Sequence, residues 1–164
     1  MRPPEPDKLR VQVLAGLQRA REIADSGGRS VVFREVERLR YQLQSGLVRR
    51  HYCHATTGRS LAVMPEGSVY PCSSLSGFPD FCLGRIAEEG FSLLSATARL
   101  PFLERTAEGM AECRSCPDNW LCGGGCLARA YAYTGGFDRP CPGDCLLTKI
   151  FLEYVRNEEG LVYG

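Results

Sequence analysis

The sequence predicts an α+β fold: a small β-hairpin with cysteine-rich loops, flanked by two N-terminal helices and one C-terminal helix. Three observations carry this. Apolar residues recur at helical steps before residue 47 and after Cys145. Two short β-type runs meet at a turn of Pro65, Glu66, Gly67 and Ser68. All nine cysteines lie between Cys53 and Cys145, and none falls in the first 52 residues. That asymmetry divides the chain into a helical linker or docking segment, 1–47, and a cysteine-rich domain, 48–164.

Residues 7–26 read as an amphipathic helix, with Leu9, Val13, Leu17, Ala20 and Ala24 on one stripe and Gly27 and Gly28 as its stop. Ser30 is the expected N-cap of a second helix that runs to about Gln44. Its stripe is Val32, Val36, Leu39 and Leu43, and Gly46 ends it. These helices hold no catalytic constellation and read as packing or docking elements. The hairpin strands are Leu61–Met64 and Val69–Pro71, the second delivering Cys72. Residues 89–110 read as helix broken at Pro101. The stretch from Cys113 to Cys126 reads as a loop, followed by a helix from Cys126 to Tyr133. Cys145 then opens a final helix with Leu146, Leu147, Ile150, Phe151, Tyr154 and Val155 on its apolar side.

Composition narrows the function. The formal net charge is +1, and 18 arginines and two lysines are interspersed with 19 acidic residues. No basic patch results, so nucleic acid and anionic membranes are not expected partners. There is no run of 18 apolar residues, and the opening "MRPPEPDKLR" is polar where a secretory signal is apolar. A cytoplasmic protein is expected. In that compartment thiols stay reduced, so nine cysteines, an odd number, point to metal or catalysis ahead of a disulfide framework.

The densest cysteines are in "CRSCPDNWLCGGGC", residues 113–126, spaced C-x2-C-x5-C-x3-C. Such spacing lets one loop wrap a compact metal centre, and thiolates are soft ligands suited to zinc or iron–sulfur clusters. One tetrahedral zinc is closed by four ligands. Nine cysteines exceed that and match two clusters of up to four thiolates each. Gly123, Gly124 and Gly125 leave the backbone free to come close to a bulky centre, and free their N–H groups to bond its sulfurs.

In these residues the chain resembles the SPASM domain, the auxiliary cluster-binding extension of radical SAM enzymes that modify peptides and proteins. Cys53 is followed by 13 residues and then by the G-x4-C of Gly67 and Cys72; Cys113, Cys116, Cys122 and Cys126 follow at the family's spacings, and then Cys141 and Cys145. "LGRI" at 83–86 is similar to the family's glycine-containing segment, and "CLLTKIFLEYV" to its closing helix. The resemblance implies two 4Fe-4S clusters. Cys53, Cys72 and Cys126 would hold the first, with Cys82 as candidate fourth ligand. Cys113, Cys116, Cys122 and Cys145 would hold the second, with Cys141 as the alternative to Cys145. His51 and His54 flank Cys53, and each reads more readily as a surface or hydrogen-bonding residue than as a ligand. Trp120 reads as a shield over a cluster.

The resemblance also implies what is lacking. The C-x3-C-x2-C motif and the partial barrel that bind S-adenosylmethionine have no counterpart here, since Cys126 is followed by Leu127, Ala128 and Arg129. The chain is therefore not expected to be a complete radical SAM enzyme. The expected role is an accessory one, electron relay or positioning of a peptide or protein substrate, beside a radical SAM catalytic domain in cis or in trans. A peptide-recognition adaptor with structural clusters and a zinc-stabilised interaction domain are the alternatives.

Overall fold

The first helix, α1 (Pro6–Asp25), starts on a proline, whose missing N–H is one the first turn leaves unpaired in any case. It stops where Gly27 takes a φ of +80° and the Gly28 N–H returns to the Ile23 carbonyl at 2.9 Å. These features belong to a computed structural model, which describes residues 5–159. The second helix, α2, spans Arg34–Ser45, and Phe33 rather than Ser30 holds its N-cap. The β-branched pair Val31 and Val32 stays outside the helix, more than half exposed, because such side chains lose rotamer freedom in a helical turn. Gly46 ends α2 in the left-handed conformation, as its position predicts.

The hairpin is present and gains a third strand. Strands β1 (Ala62–Val63) and β2 (Ser68–Tyr70) pair antiparallel, with Ala62 opposite Tyr70 and Val63 opposite Val69. On the other side of β2 lies β3 (Gly84–Arg85), antiparallel, with Ser68 opposite Arg85. The sheet order is β1-β2-β3, so the central strand is buried at all three positions.

Beyond the sheet the helices are short. Only Leu93–Thr97 forms a helix, α3, in the stretch expected to be helical from 89 to 110. The chain around Pro101 is bound by turns instead, and Glu104 sits at a φ of +59° with its N–H on the Thr56 carbonyl at 2.9 Å. The cysteine stretch is not a plain loop. It contains two single helical turns, α4 (Ala111–Arg114) and α5 (Asn119–Cys122). Next come α6 (Leu127–Thr134), capped by Cys126, and α7 (Pro142–Glu159), which begins three residues before the expected Cys145 because Pro142 suits a first turn.

Two compact units result: residues up to Val48 with those from Pro142 onward, and Arg49–Cys141. In the first, α7 packs on α1 and α2. Leu17, Leu39, Ile150, Leu152 and Val155 form its buried interior. Glu158 receives Arg21 at 2.6 Å and Arg40 at 2.9 Å. In the second, Tyr70, Leu75, Phe81, Phe102 and Leu127 form one core. Two of its ring pairs meet edge to face, Phe81 4.9 Å from Tyr131 and Phe102 4.9 Å from Phe137, while Tyr131 and Phe137 stack at 5.2 Å.

Candidate metal centre

Three cysteines share one structural position. Cys53 and Cys72 are the N-caps of single 3-10 turns, His54–Thr57 and Ser73–Leu75, and Cys126 is the N-cap of α6. At each of these points the first N–H groups of a helical turn lack partners within the turn. All three cysteines are partly buried against the apolar core of their unit. The Cys72 thiol is pushed above its ordinary value, by burial first. The amides of Leu75 and Ser74 oppose that shift, and the thiols of Cys126 and Cys53 add to it. That mutual influence puts Cys53, Cys72 and Cys126, distant in sequence, in one neighbourhood.

A second neighbourhood forms around Cys113. Its thiol is 5 % exposed and is pushed up to about 11, by burial first, then by the Cys122 and Cys116 thiols, with the Arg105 cation opposing and Glu112 adding. Cys113 lies on α4, Cys116 in the turn after it with its N–H on the Cys113 carbonyl at 3.0 Å, and Cys122 at the end of α5. The Asn119 amide also donates to the Cys113 carbonyl at 3.2 Å, so α5 is tied to α4. Cys113, Cys116 and Cys122 thus share a second neighbourhood.

The glycines between the sets do two things. All three have positive φ, +64°, +85° and +73° at Gly123, Gly124 and Gly125. A Cβ on Gly123 would come within 2.8 Å of the Tyr52 nitrogen and 2.9 Å of the His51 carbonyl carbon. The close approach expected of this run is therefore, at Gly123, an approach to the chain leading into Cys53. At the next glycine, the Gly124 N–H donates to the Cys122 thiol, Sγ, at 3.3 Å.

Arg105 went unnoticed in the sequence. It is 8 % exposed, and its guanidinium donates to the carbonyls of Phe137 at 2.6 Å, Gly124 at 3.0 Å, Gly125 at 3.1 Å and Arg139 at 3.4 Å. The one signal for it was an arginine among Phe102, Leu103, Ala107 and Met110, all apolar.

The remaining residues lie as follows. Cys82 is exposed, and its thiol contacts the Gly84 carbonyl at 3.7 Å. Cys141 is 1 % exposed and closes the second unit, whereas Cys145 is partly buried on α7 of the first. His51 Nδ1 lies 3.3 Å from the Arg105 carbonyl, a hydrogen-bonding role, and His54 is exposed. Trp120 is half-buried, and its carbonyl accepts the Arg49 N–H at 2.7 Å.

The donor set fits an iron–sulfur group: soft thiols, two partly buried sets, and a backbone N–H already on one sulfur. Among the described residues no three His, Cys, Asp or Glu side chains close tightly enough to hold a single metal ion. No described helix is long and apolar enough to cross a membrane. Comparison with known families agrees with the donor chemistry: residues 53–117 match the SPASM family, an iron–sulfur cluster-binding domain. The matched stretch includes Cys53, Cys72, Cys82, Cys113 and Cys116 and ends before Cys122. No curated protein matches the chain.

Proposed function

We infer that this chain carries two 4Fe-4S clusters and serves as the accessory domain of a radical SAM peptide or protein maturase, in cis or in trans. Cys53, Cys72 and Cys126 are ligands of one cluster. Cys113, Cys116 and Cys122 are ligands of the other. The observation that carries this reading is the crossing. Cys126 acts with Cys53 on the Cys72 thiol, and Cys122 acts with Cys116 on the Cys113 thiol, although Cys122 and Cys126 are only four positions apart. Two clusters, each on one of these groups, give a reason for that arrangement, and the iron–sulfur family match favours them over two zinc ions.

When bound, the clusters would supply one-electron chemistry, and the protein's part is to bury them and bond their sulfurs. An electron relay to or from a catalytic domain is the role proposed, with positioning of the peptide substrate as its alternative. Cys141 and Cys145 compete as last ligand of the second cluster, and Cys82 is the candidate for the fourth position of the first.

Anaerobic reconstitution with iron, sulfide and zinc analysis tests the reading, together with electron paramagnetic resonance after dithionite. About eight irons and eight sulfides per chain are expected, two four-iron clusters' worth. Bound zinc without sulfide sinks it in favour of an interaction domain. Alanine variants of Cys82, Cys141 and Cys145 then assign the open positions by which of them lowers iron content. Reversible reduction supports the relay, and clusters that cannot be reduced support the adaptor.

A further inference from the structure

A buried cation stands beside the segment that joins the two thiol sets. Arg105 reaches the carbonyls of Gly124 and Gly125 through its two terminal nitrogens, at 3.0 and 3.1 Å. Those two residues are all that lies between Gly123 and Cys126. The same guanidinium reaches Phe137 and Arg139, so it ties the glycine segment to the chain that leads into Cys141. Only arginine offers so many donors in one rigid plane; lysine has the charge without the fork.

Burial makes this cation consequential. A charge held away from water is little screened, and Arg105 holds at 3.0 Å the carbonyl of Gly124, the residue whose own N–H bonds Cys122 Sγ at 3.3 Å. The potentials of iron–sulfur clusters depend on net charge, on hydrogen bonds to sulfur and on exposure. A cation nearby favours the state that holds one more electron.

We propose that Arg105 is a positioning residue for both thiol sets, holding Gly124 and Gly125 so that Cys122 and Cys126 serve separate clusters, and that its charge makes the cluster on the Cys113 side easier to reduce. The proposal rests on the two-cluster reading above. It extends that reading to a residue that binds no metal.

The test uses the full chain, reconstituted anaerobically as wild type, Arg105→Lys and Arg105→Gln. Iron content is measured, and each sample is titrated with dithionite under electron paramagnetic resonance. In that titration dithionite splits into two sulfur dioxide radical anions, each of which gives one electron to a cluster and ends as sulfite, and no bond in the protein is made or broken. In Arg105→Gln, with iron retained, one reduction step is expected to fall by ~59 mV, tenfold in a one-electron equilibrium. In Arg105→Lys the same step moves by less than roughly threefold in that equilibrium. Unchanged steps in the glutamine variant overturn the proposal and leave the cluster reading intact. A wild-type chain without iron overturns that reading, and this proposal with it. Should Arg105→Gln load no iron, the lysine variant decides. Near-wild-type potentials there uphold the charge effect and a tenfold shift overturns it, while iron content reads the positioning role: loss of the fork should lower it in both variants, and full loading of both overturns that role.

Discussion

Gly124 donates its backbone N–H to Cys122 Sγ at 3.3 Å, from the middle of three successive glycines that all take positive φ. No other residue type runs through three left-handed positions without strain. The bond to sulfur therefore depends on the glycines, and the glycines depend on the space left beside Tyr52 and His51.

Gly123→Ala should accordingly be far worse than Gly135→Ala. Both positions have positive φ, +64° and +75°, so both variants incur backbone strain of about 1–2 kcal/mol. At Gly135 nothing lies within 4 Å of a new Cβ. At Gly123 the new atom would press on backbone at 2.8 and 2.9 Å, which cannot rotate away. An added cost that brings Gly123→Ala to about 3 kcal/mol or more is expected, with reduced iron content. Anaerobic denaturant unfolding of both variants measures this. Equal losses would show that strain alone, and not the contact with residues 51 and 52, sets the requirement for glycine.

The raised thiol of Cys113 gives the metal-free chain a definite pH dependence. The folded value is about 11 against an ordinary 9.0, so between these limits the folded state holds a proton that the unfolded state has lost. Stability from this group is complete below about pH 9 and is lost as pH rises toward 11; the Cys72 shift has the same sign. Metal capture runs the other way, since ligation needs thiolate and releases protons. Reconstitution should be faster at pH 8.5 than at pH 7, while the unfolding midpoint of the metal-free chain should drop from pH 9 to pH 11. A midpoint that rises over that range would show that the buried thiols are not protonated in the folded chain.

Phe102 links the aromatic core to the first thiol set. It is 1 % exposed, stacks edge-on against Phe137, and belongs to the core on which Cys53, Cys72 and Cys126 rest. Phe102→Ala should cost about 3–5 kcal/mol, the usual range for emptying a buried ring. Cys113 packs in a separate small cluster with Ala107 and Met110, so the second thiol set should suffer less. Iron analysis against Phe102→Leu, which fills most of the space, checks this. Equal loss from both sets would mean the two fold as one.

How much of this was legible in the sequence varies from element to element. Helix α1, the stop at Gly46 and the hairpin turn followed from periodicity and glycine, because those signals act over a few residues. The α+β class with its flanking helices followed as well. The start of α2 did not, because Ser30 is a good cap in isolation but Val31 and Val32 resist the turn that must follow it. Strand β3 was hidden because two residues carry no alternation, and Gly84 pairs only where β2 offers an edge. The grouping of cysteines into sets came from family spacing, and composition alone could not have supplied it. Arg105 was illegible for a different reason. Its partners are backbone carbonyls 19 to 34 residues away, which leave no trace in residue types.

Removing iron should separate the two units. In Arg49–Cys141 the described helices are at most eight residues long and the strands two or three, and isolated elements of that length are not stable in water. Much of what holds this unit would come from cluster ligation, since metal binding at a site formed only on folding is itself folding free energy. The other unit has three long helices with their own apolar interior and the ion pairs of Arg21 and Arg40 with Glu158. Burial of Leu17, Leu39, Ile150, Leu152 and Val155 carries most of that unit's stability. Chelation under reducing conditions should therefore leave most of the helical circular dichroism in place. Near-ultraviolet signals from the aromatic core around Phe81 and Tyr131 should collapse, and backbone amides of β2 should lose protection from exchange before those of α1 and α7. Retention of β2 protection after complete loss of iron would show that the aromatic core, and not the metal, holds the cysteine-rich unit together.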